Sequence, residues 1–238
     1  MGEVEVNVSR RLEESILDWG ASLVGFGDLE GVVRHMPVKW PRAVSIAVAL
    51  DPQIIDGVKD GPTAEYLGEY HRVNRTLNEI AGSAAEAICD LGYGAQPFPA
   101  TVPEGREKEE WVKTLSVSFQ HKTAATRAGL GWIGKNALLV TPSLGPRLRL
   151  ATVFTDMPLP TAEPIAAGRC GKCVACVRRC PAQAIKGVTW EAGLERALLV
   201  DAWSCYEMAR RLLRERVGAS NAVCGVCVAV CPVGREQS

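Results

Sequence analysis

No stretch of this sequence stays apolar long enough to cross a bilayer, so a membrane-spanning helix is not expected. Neither sign of charge prevails. The 27 Lys and Arg side chains are matched by 27 Asp and Glu, leaving no global field to attract nucleic acid, which is not expected as a partner. Arg10-Arg11 could open an export signal, but the following LEESILDWG is acidic and amphipathic where an apolar core should stand, so export is not expected either. No internal repeat marks the front two-thirds. With 238 residues, 47% of them apolar, the chain fits one large domain or a large domain joined to a small one.

Cysteine is plentiful, with nine residues, eight of them between positions 170 and 231. The run CGKCVACVRRCP at 170–181 has the spacing C-x2-C-x2-C-x3-C-P, in which three thiolates ligate one iron-sulfur cube and the fourth passes to another, as in two-cluster bacterial ferredoxins. A second set is therefore required. The lone Cys205 and the run CGVCVAVCP supply it. The crossed arrangement predicts one [4Fe-4S] cluster on Cys170, Cys173, Cys176 and Cys231, and another on Cys180, Cys205, Cys224 and Cys227. Structural zinc would use two C-x2-C pairs but leave four thiols idle, and would not explain Pro181 and Pro232 after the two runs. Disulfides suit small secreted chains, whereas free thiolates and oxygen-sensitive clusters suit the reducing cytoplasm, which is the expected location. Cys89, in an apolar helical stretch, is expected to be a small buried side chain.

Along the chain, Leu12, Ile16, Leu17 and Trp19 recur at helical spacing until Gly20, and a short strand is expected over 21–26. A turn-rich piece containing Pro37 and Pro41 precedes AVSIAVAL at 43–50, which reads as a strand buried on both faces. The longest helix should begin after Gly61-Pro62-Thr63, carry Val73, Leu77, Ile80, Ala84, Ala87, Ile88 and Leu91 on one face, and close at Gly92. Near its start, Tyr70 and His71 read as an exposed or hydrogen-bonded pair at a sheet edge. Residues 121–128 look helical, 137–140 and 147–155 look like strands, and the Pro-rich 157–164 is the expected linker. Another helix-like insert is expected over 190–216, inside the cysteine module.

The densest glycine cluster is GLGWIGKN at 129–136. Gly129, Gly131 and Gly134 would let a planar or phosphate-bearing ligand approach the backbone, with Trp132 offering a flat face and Lys135 and Asn136 a charge and an amide. The spacing G-x-G-x-x-G is formally present, but it follows a helix instead of a strand, which is the wrong context for dinucleotide binding. The competing reading is a tight turn with Trp132 and Ile133 packed in the core.

Taken together, AATRAGLGWIGKNALLVTP followed by a strand, TD-x-PL, CGKCVACVRRCPAQAI, the lone cysteine in SCYE, and CGVCVAVCP resemble the epoxyqueuosine reductase family, relatives of the reductive dehalogenases. LDWGASLVGFGDLEG, PRAVSIAV and EYHRVNR look like that family's early segments. The resemblance implies an α+β protein: a nitroreductase-like α/β cofactor domain over 1–160, binding cobalamin, and a ferredoxin-like module with two [4Fe-4S] clusters over 161–238. Flavin is the alternative cofactor for such a fold. Its cofactor-side residues would be Ala128, Gly129, Gly131, Trp132, Ile133, Gly134, Lys135 and Asn136, with Tyr70 and His71. Electrons from a reduced ferredoxin or flavodoxin-type donor would pass through the clusters to cobalt and on to a small or nucleoside-like substrate.

Two departures from the family pattern bear on the reaction. The family places an aspartate at the head of a D-[ST]-x-P segment, six residues before a Glu-Arg pair. Here Leu115 stands in the acid's place, and His121-Lys122 replace the pair. Leucine donates no proton, so the usual epoxide reduction is not expected, and His121 becomes the substitute acid if it points into the pocket. The family also continues into a helical-repeat domain that helps to hold transfer RNA. This chain reads as a short form without it. A small substrate, or a partner protein reduced by the clusters without chemistry here, then fits better than a large polyanion.

Overall fold

A computed structural model describes residues 3–31, 40–103 and 105–235. The amphipathic opening forms α1 (Glu3–Asp18), with Leu12 and Ile16 buried one turn apart, and Gly20 at φ 108° turns the chain away. β1 (Leu23–Asp28) and β2 (Arg42–Ala49) pair antiparallel with Leu23 opposite Ala47, and an Arg42–Asp28 ion pair of 2.8 Å closes the far end. Six consecutive positions of β2 are buried, the cause of its unbroken apolar run. The piece around Pro37 lies outside the described residues.

α2 (Pro52–Asp56) is capped by the Asp51 carboxylate, which accepts from the N–H groups of Gln53 and Ile54. α3 (Ala64–Asp90) is the longest element, and the Thr63 hydroxyl caps it by accepting from the Tyr66 N–H at 3.2 Å. Val73, Leu77, Ile80, Ala84 and Ile88 form its buried stripe. Two expectations fail here. Cys89 is exposed, because it lies one residue beyond Ile88 and a helix turns about 100° per residue. Leu91 is likewise 46% exposed.

There follow β3 (Ala95–Phe98), α4 (Arg106–Thr114), α5 (His121–Arg127), β4 (Trp132–Ile133), β5 (Leu139–Val140) and β6 (Leu148–Thr155). The main sheet has the order β1-β2-β6-β3, with β3 antiparallel to β6, and β4 with β5 make a separate antiparallel ladder. Against the sheet sits an aromatic core in which Phe119 and Phe154 meet edge to face at 4.7 Å, packed with Leu29, Ala43, Ala124 and Phe98. The cysteine-bearing part adds α6 (Ala175–Arg179), α7 (Arg196–Leu199), α8 (Ala202–Val217) and α9 (Val226–Ala229). The fold is therefore mixed α and β. No helix among the described residues is long and apolar enough to cross a membrane.

The chain divides into two compact units that interleave in sequence. One comprises Met1–Ala49, Val73–Leu130 and Arg149–Ile165, and the other Leu50–Arg72, Gly131–Leu148 and Ala166–Ser238. A single cut near residue 160 does not describe this division. The Pro-rich stretch is tied into the first unit, where Ala162 N–H donates to the Phe26 carbonyl at 3.0 Å and Ile165 N–H to that of Thr126 at 2.9 Å. In the second unit, residues 59–62 are held by an Arg179–Asp60 ion pair of 2.6 Å and by Arg216 donating to the Pro62 carbonyl at 3.1 Å.

Candidate metal centre

The two cysteine runs fold as short loops, each leading into one helical turn. Gly171 (φ 51°) bends the first between Cys170 and Cys173, and Gly225 (φ 83°) bends the second between Cys224 and Cys227. Residues with side chains adopt that left-handed backbone only at a cost. Cys173 and Cys205 are exposed, and the other six thiols are half-buried.

The thiols group by mutual electrostatic influence. Burial, then the neighbouring Cys170, Cys231 and Cys173, push the Cys176 thiol up to about 11. Burial, then Cys180 and Cys224, push Cys205 up to about 11, and Cys227 is driven well above the usual thiol range by burial and then by Cys224 and Cys205. The structure thus brings together Cys170, Cys173, Cys176 and Cys231 on one side, and Cys180, Cys205, Cys224 and Cys227 on the other. Cys227 also feels Cys176, where the two sets adjoin. Among the described residues no three His, Cys, Asp or Glu side chains converge on a position for a single ion. Two quartets of soft donors, with burial opposing their ionisation, suit cationic iron-sulfur cores.

The segment 131–148 reaches the backbone of both sets. Lys135, 6% exposed, donates through Nζ to the carbonyls of Gly171 at 2.8 Å and Cys173 at 3.1 Å. Asn136 directs Nδ2 to the Cys227 carbonyl at 3.5 Å while its Oδ1 accepts from the Leu138 N–H. Arg147, 7% exposed, donates to the Val233 carbonyl at 2.7 Å and to that of Cys231. Its guanidinium partly offsets the upward push that burial exerts on the Cys231 thiol. Sequence patterning does not single out Arg147, whose only signal is an arginine at the head of the alternating RLRLATVFT.

The glycine loop resolves toward the tight-turn reading. A Cβ at Gly131 would sit 2.2 Å from the Val140 carbonyl oxygen, and one at Gly134 would sit 2.6 Å from Asn136 Oδ1. At Gly129 (φ 69°) it would approach Ala162 Cβ to 3.1 Å. The missing side chains make room for the chain itself. Ala128 and Gly129 belong to the first unit, and Gly131 through Asn136 to the second. Ile133 and Trp132 are buried, and the Arg169 guanidinium lies 5.9 Å from the Trp132 ring. Trp132 Nε1 is buried without a hydrogen-bond partner among the described residues, so one donor in this loop retains capacity for a bound acceptor.

Tyr70 and His71 fall in the second unit and His121 in the first. Tyr70 is half-buried and His71 exposed, their rings edge to face at 5.6 Å. His121, expected as a substitute acid, has both ring nitrogens engaged within the first unit, by Thr152 Oγ1 at 2.8 Å and the Pro99 carbonyl at 2.9 Å. Burial lowers its pKa to about 4, the bond to Pro99 opposing and Arg149 adding to the shift. With both nitrogens engaged and burial holding the ring neutral, these contacts give no support to the substitute-acid expectation. Leu115 is buried, with left-handed backbone (φ 51°), at the end of α4.

Comparison with known proteins agrees with this donor set. Residues 169–234 match the family described as a 4Fe-4S double cluster binding domain, so the chain carries a domain for two [4Fe-4S] clusters. An epoxyqueuosine reductase of Pseudomonas aeruginosa is 36% identical over 94% of this chain and 69% of its own length. Other such reductases match over 26–42% of theirs, so this chain spans under half of most of those relatives. Among solved structures, a reductive dehalogenase described as B12-dependent aligns with TM-score 0.68 at 23% identity, covering 94% of this chain and 32% of that one. An epoxyqueuosine reductase solved with a modified tRNA stem loop aligns with TM-score 0.64 at 19% identity, covering 97% and 66%. With these likenesses spanning both units and the cysteine sets, the chain belongs to the epoxyqueuosine reductase family.

Proposed function

We propose that this protein is an iron-sulfur oxidoreductase that carries electrons through two [4Fe-4S] clusters to a corrinoid held by a nitroreductase-like unit, for the reduction of a small or nucleoside-like substrate. The observation that carries the reading is the sorting of eight thiols into two quartets drawn from both cysteine runs. In this reading Cys170, Cys173, Cys176 and Cys231 hold one cluster, and Cys180, Cys205, Cys224 and Cys227 the other. When bound, the clusters supply one-electron transfer and the corrinoid a strongly reducing cobalt.

The protein's own residues hold and insulate. Lys135 and Arg147 fix the backbone of the first ligand set through its carbonyls. Trp132 Nε1 is the loop's open donor for a corrinoid acceptor. Leu115 and the committed His121 offer no acid at the places where the family pattern puts one. A reduction that draws its proton from solvent or substrate fits better than the family's usual epoxide opening.

Transfer RNA returns to the substrate class. One relative is solved with a tRNA stem loop, and the net charge that argued against nucleic acid is an average. Residues 166–235 alone hold eleven Lys and Arg against five Asp and Glu. The second reading, a redox partner that reduces a separate corrinoid or flavin protein, is favoured by the same lack of an acid.

Anaerobic reconstitution with iron, sulfide and cobalamin tests these readings together. The expected result is one corrinoid per chain, with a visible spectrum that changes when the clusters are reduced. Absence of corrinoid binding, with both clusters intact, would transfer the reading to the redox partner, and release of a yellow cofactor would transfer it to flavin.

A further inference from the structure

Lys135 and Arg147 are both almost fully buried, and both donate to neutral backbone carbonyls. Neither has a carboxylate within ion-pair distance among the described residues. Asp56, the carboxylate that acts on Arg147 from farther off, is itself engaged by Lys59 at 3.0 Å and Arg235 at 3.4 Å. A buried, unpaired cation costs several kcal/mol unless a counter-charge is close. Two such cations, both reaching the backbone of the same ligand set, mark where that counter-charge belongs. Lys135 reaches the Gly171 and Cys173 carbonyls, and Arg147 the carbonyl of Cys231.

The other set is differently surrounded. Its backbone is approached by a neutral amide, Asn136 Nδ2 at the Cys227 carbonyl, and the Asp201 carboxylate caps the helix that carries Cys205. A cube ligated by four thiolates is anionic, and becomes more so by one charge when it accepts an electron, with no proton required. Nearby cations stabilise the reduced form and carboxylates disfavour it, net charge being one of the terms that set cluster potentials.

We propose that Lys135 and Arg147 set the order of reduction: an electron from an external low-potential one-electron donor settles first on the cluster of Cys170, Cys173, Cys176 and Cys231, and the set containing Cys205 is the harder to reduce. The two are positioning residues that act through the field at the first cluster. This rests on the two-cluster reading, and an independent iron count distinguishes the failure of one from the failure of the other. Wild-type protein with about four irons or fewer would end the cluster reading itself.

The test is an anaerobic redox titration followed by electron paramagnetic resonance, on the reconstituted full chain without corrinoid. The first set's wave is identified as the one that survives Cys205→Ala, and in the wild type it should have the higher midpoint. Lys135→Gln and Arg147→Gln keep an amide donor and remove the charge. Each should lower that midpoint by about tenfold in the reduction equilibrium, ~59 mV for a one-electron couple, leaving the other wave within about a third of that change. Lys135→Arg should restore it. Waves that move together, or stay put in protein with its full iron, would overturn the proposal. If Lys135→Gln loses iron, Arg147→Gln carries the test. Loss of iron from both would reduce the two cations to structural supports and overturn it equally.

Discussion

Nε2 of His121 and the carbonyl oxygen of Pro99 stand 2.9 Å apart, and because a carbonyl only accepts, Nε2 carries the ring's proton. Nδ1 then accepts from the hydroxyl of Thr152, a fully buried residue, at 2.8 Å. The ring also packs at 5.3 Å against Phe98. A second proton would oblige the Thr152 hydroxyl to turn from donor to acceptor and would place a buried charge under the influence of the Arg149 guanidinium.

The stability of the protein should register this. Unfolded, His121 titrates near 6.5, and folded at about 4, so between these values the unfolded chain binds more protons. Stability from this residue is constant above about pH 6.5 and declines as pH falls toward 4. Linkage gives a loss of about 1.4 kcal/mol by pH 5.5. In His121→Gln the term is missing. Anaerobic denaturant titrations of both proteins at pH 7.5 and 5.5 should show the wild type's advantage shrinking by that amount on acidification. An advantage equal at both values would mean that the ring is not held neutral.

Exposed on α3 and outside both quartets, Cys89 should be chemically accessible and dispensable for metal. Cys89→Ser should keep about eight irons and change stability by no more than ~0.5 kcal/mol, the usual range for surface substitutions. With clusters intact, the wild type should react with one equivalent of a thiol reagent and the variant with none. Reduced iron in the variant would place Cys89 among the ligands.

Much of this was legible because the relevant signals are local. The C-x2-C-x2-C-x3-C-P spacing is a constraint on one loop, and the continuous run of β2 reports burial on both faces wherever the strand lies. Cys89 shows the limit of that signal, since an apolar stretch does not by itself say which of its residues face the core, and helical phase turns Cys89 away from the side of Ile88. The division into units was illegible for a different reason. Residues 50–72 and 131–148 join the cysteine-bearing unit through carbonyl acceptors such as those of Pro62 and Gly171, and a backbone carbonyl leaves no trace in sequence. For the same reason Lys135 and Asn136 looked like ligand-facing groups, when their partners are the cysteine loops themselves.

Gly225 offers a test of how tightly the second loop is built. Its φ of 83° already penalises any side chain, and a Cβ there would lie 2.6 Å from the Tyr66 ring and 3.0 Å from Val58. The left-handed conformation alone costs roughly 1–2 kcal/mol for an alanine. Gly225→Ala should therefore destabilise the protein by at least that much and loosen Cys224 and Cys227. Iron should fall toward about four per chain, while Gly193→Ala, where nothing lies within 4 Å of the added carbon, should pay only the conformational term and keep its iron. Full iron in Gly225→Ala with unchanged melting would show that the loop accommodates the methyl.

Cys180 belongs to the first run in sequence and to the second quartet in space, since the Cys205 thiol feels it together with Cys224. Replacing it separates the crossed arrangement from an uncrossed one, in which each run would ligate its own cluster. In the crossed case Cys180→Ala removes the same cluster as Cys227→Ala, and the two variants should retain about four irons and share one residual paramagnetic spectrum. Cys176→Ala and Cys231→Ala should share the other. In the uncrossed case Cys180→Ala would instead match Cys176→Ala. Matching residual spectra decide the point more firmly than iron counts, because either arrangement loses half the metal and only the identity of the surviving cluster differs.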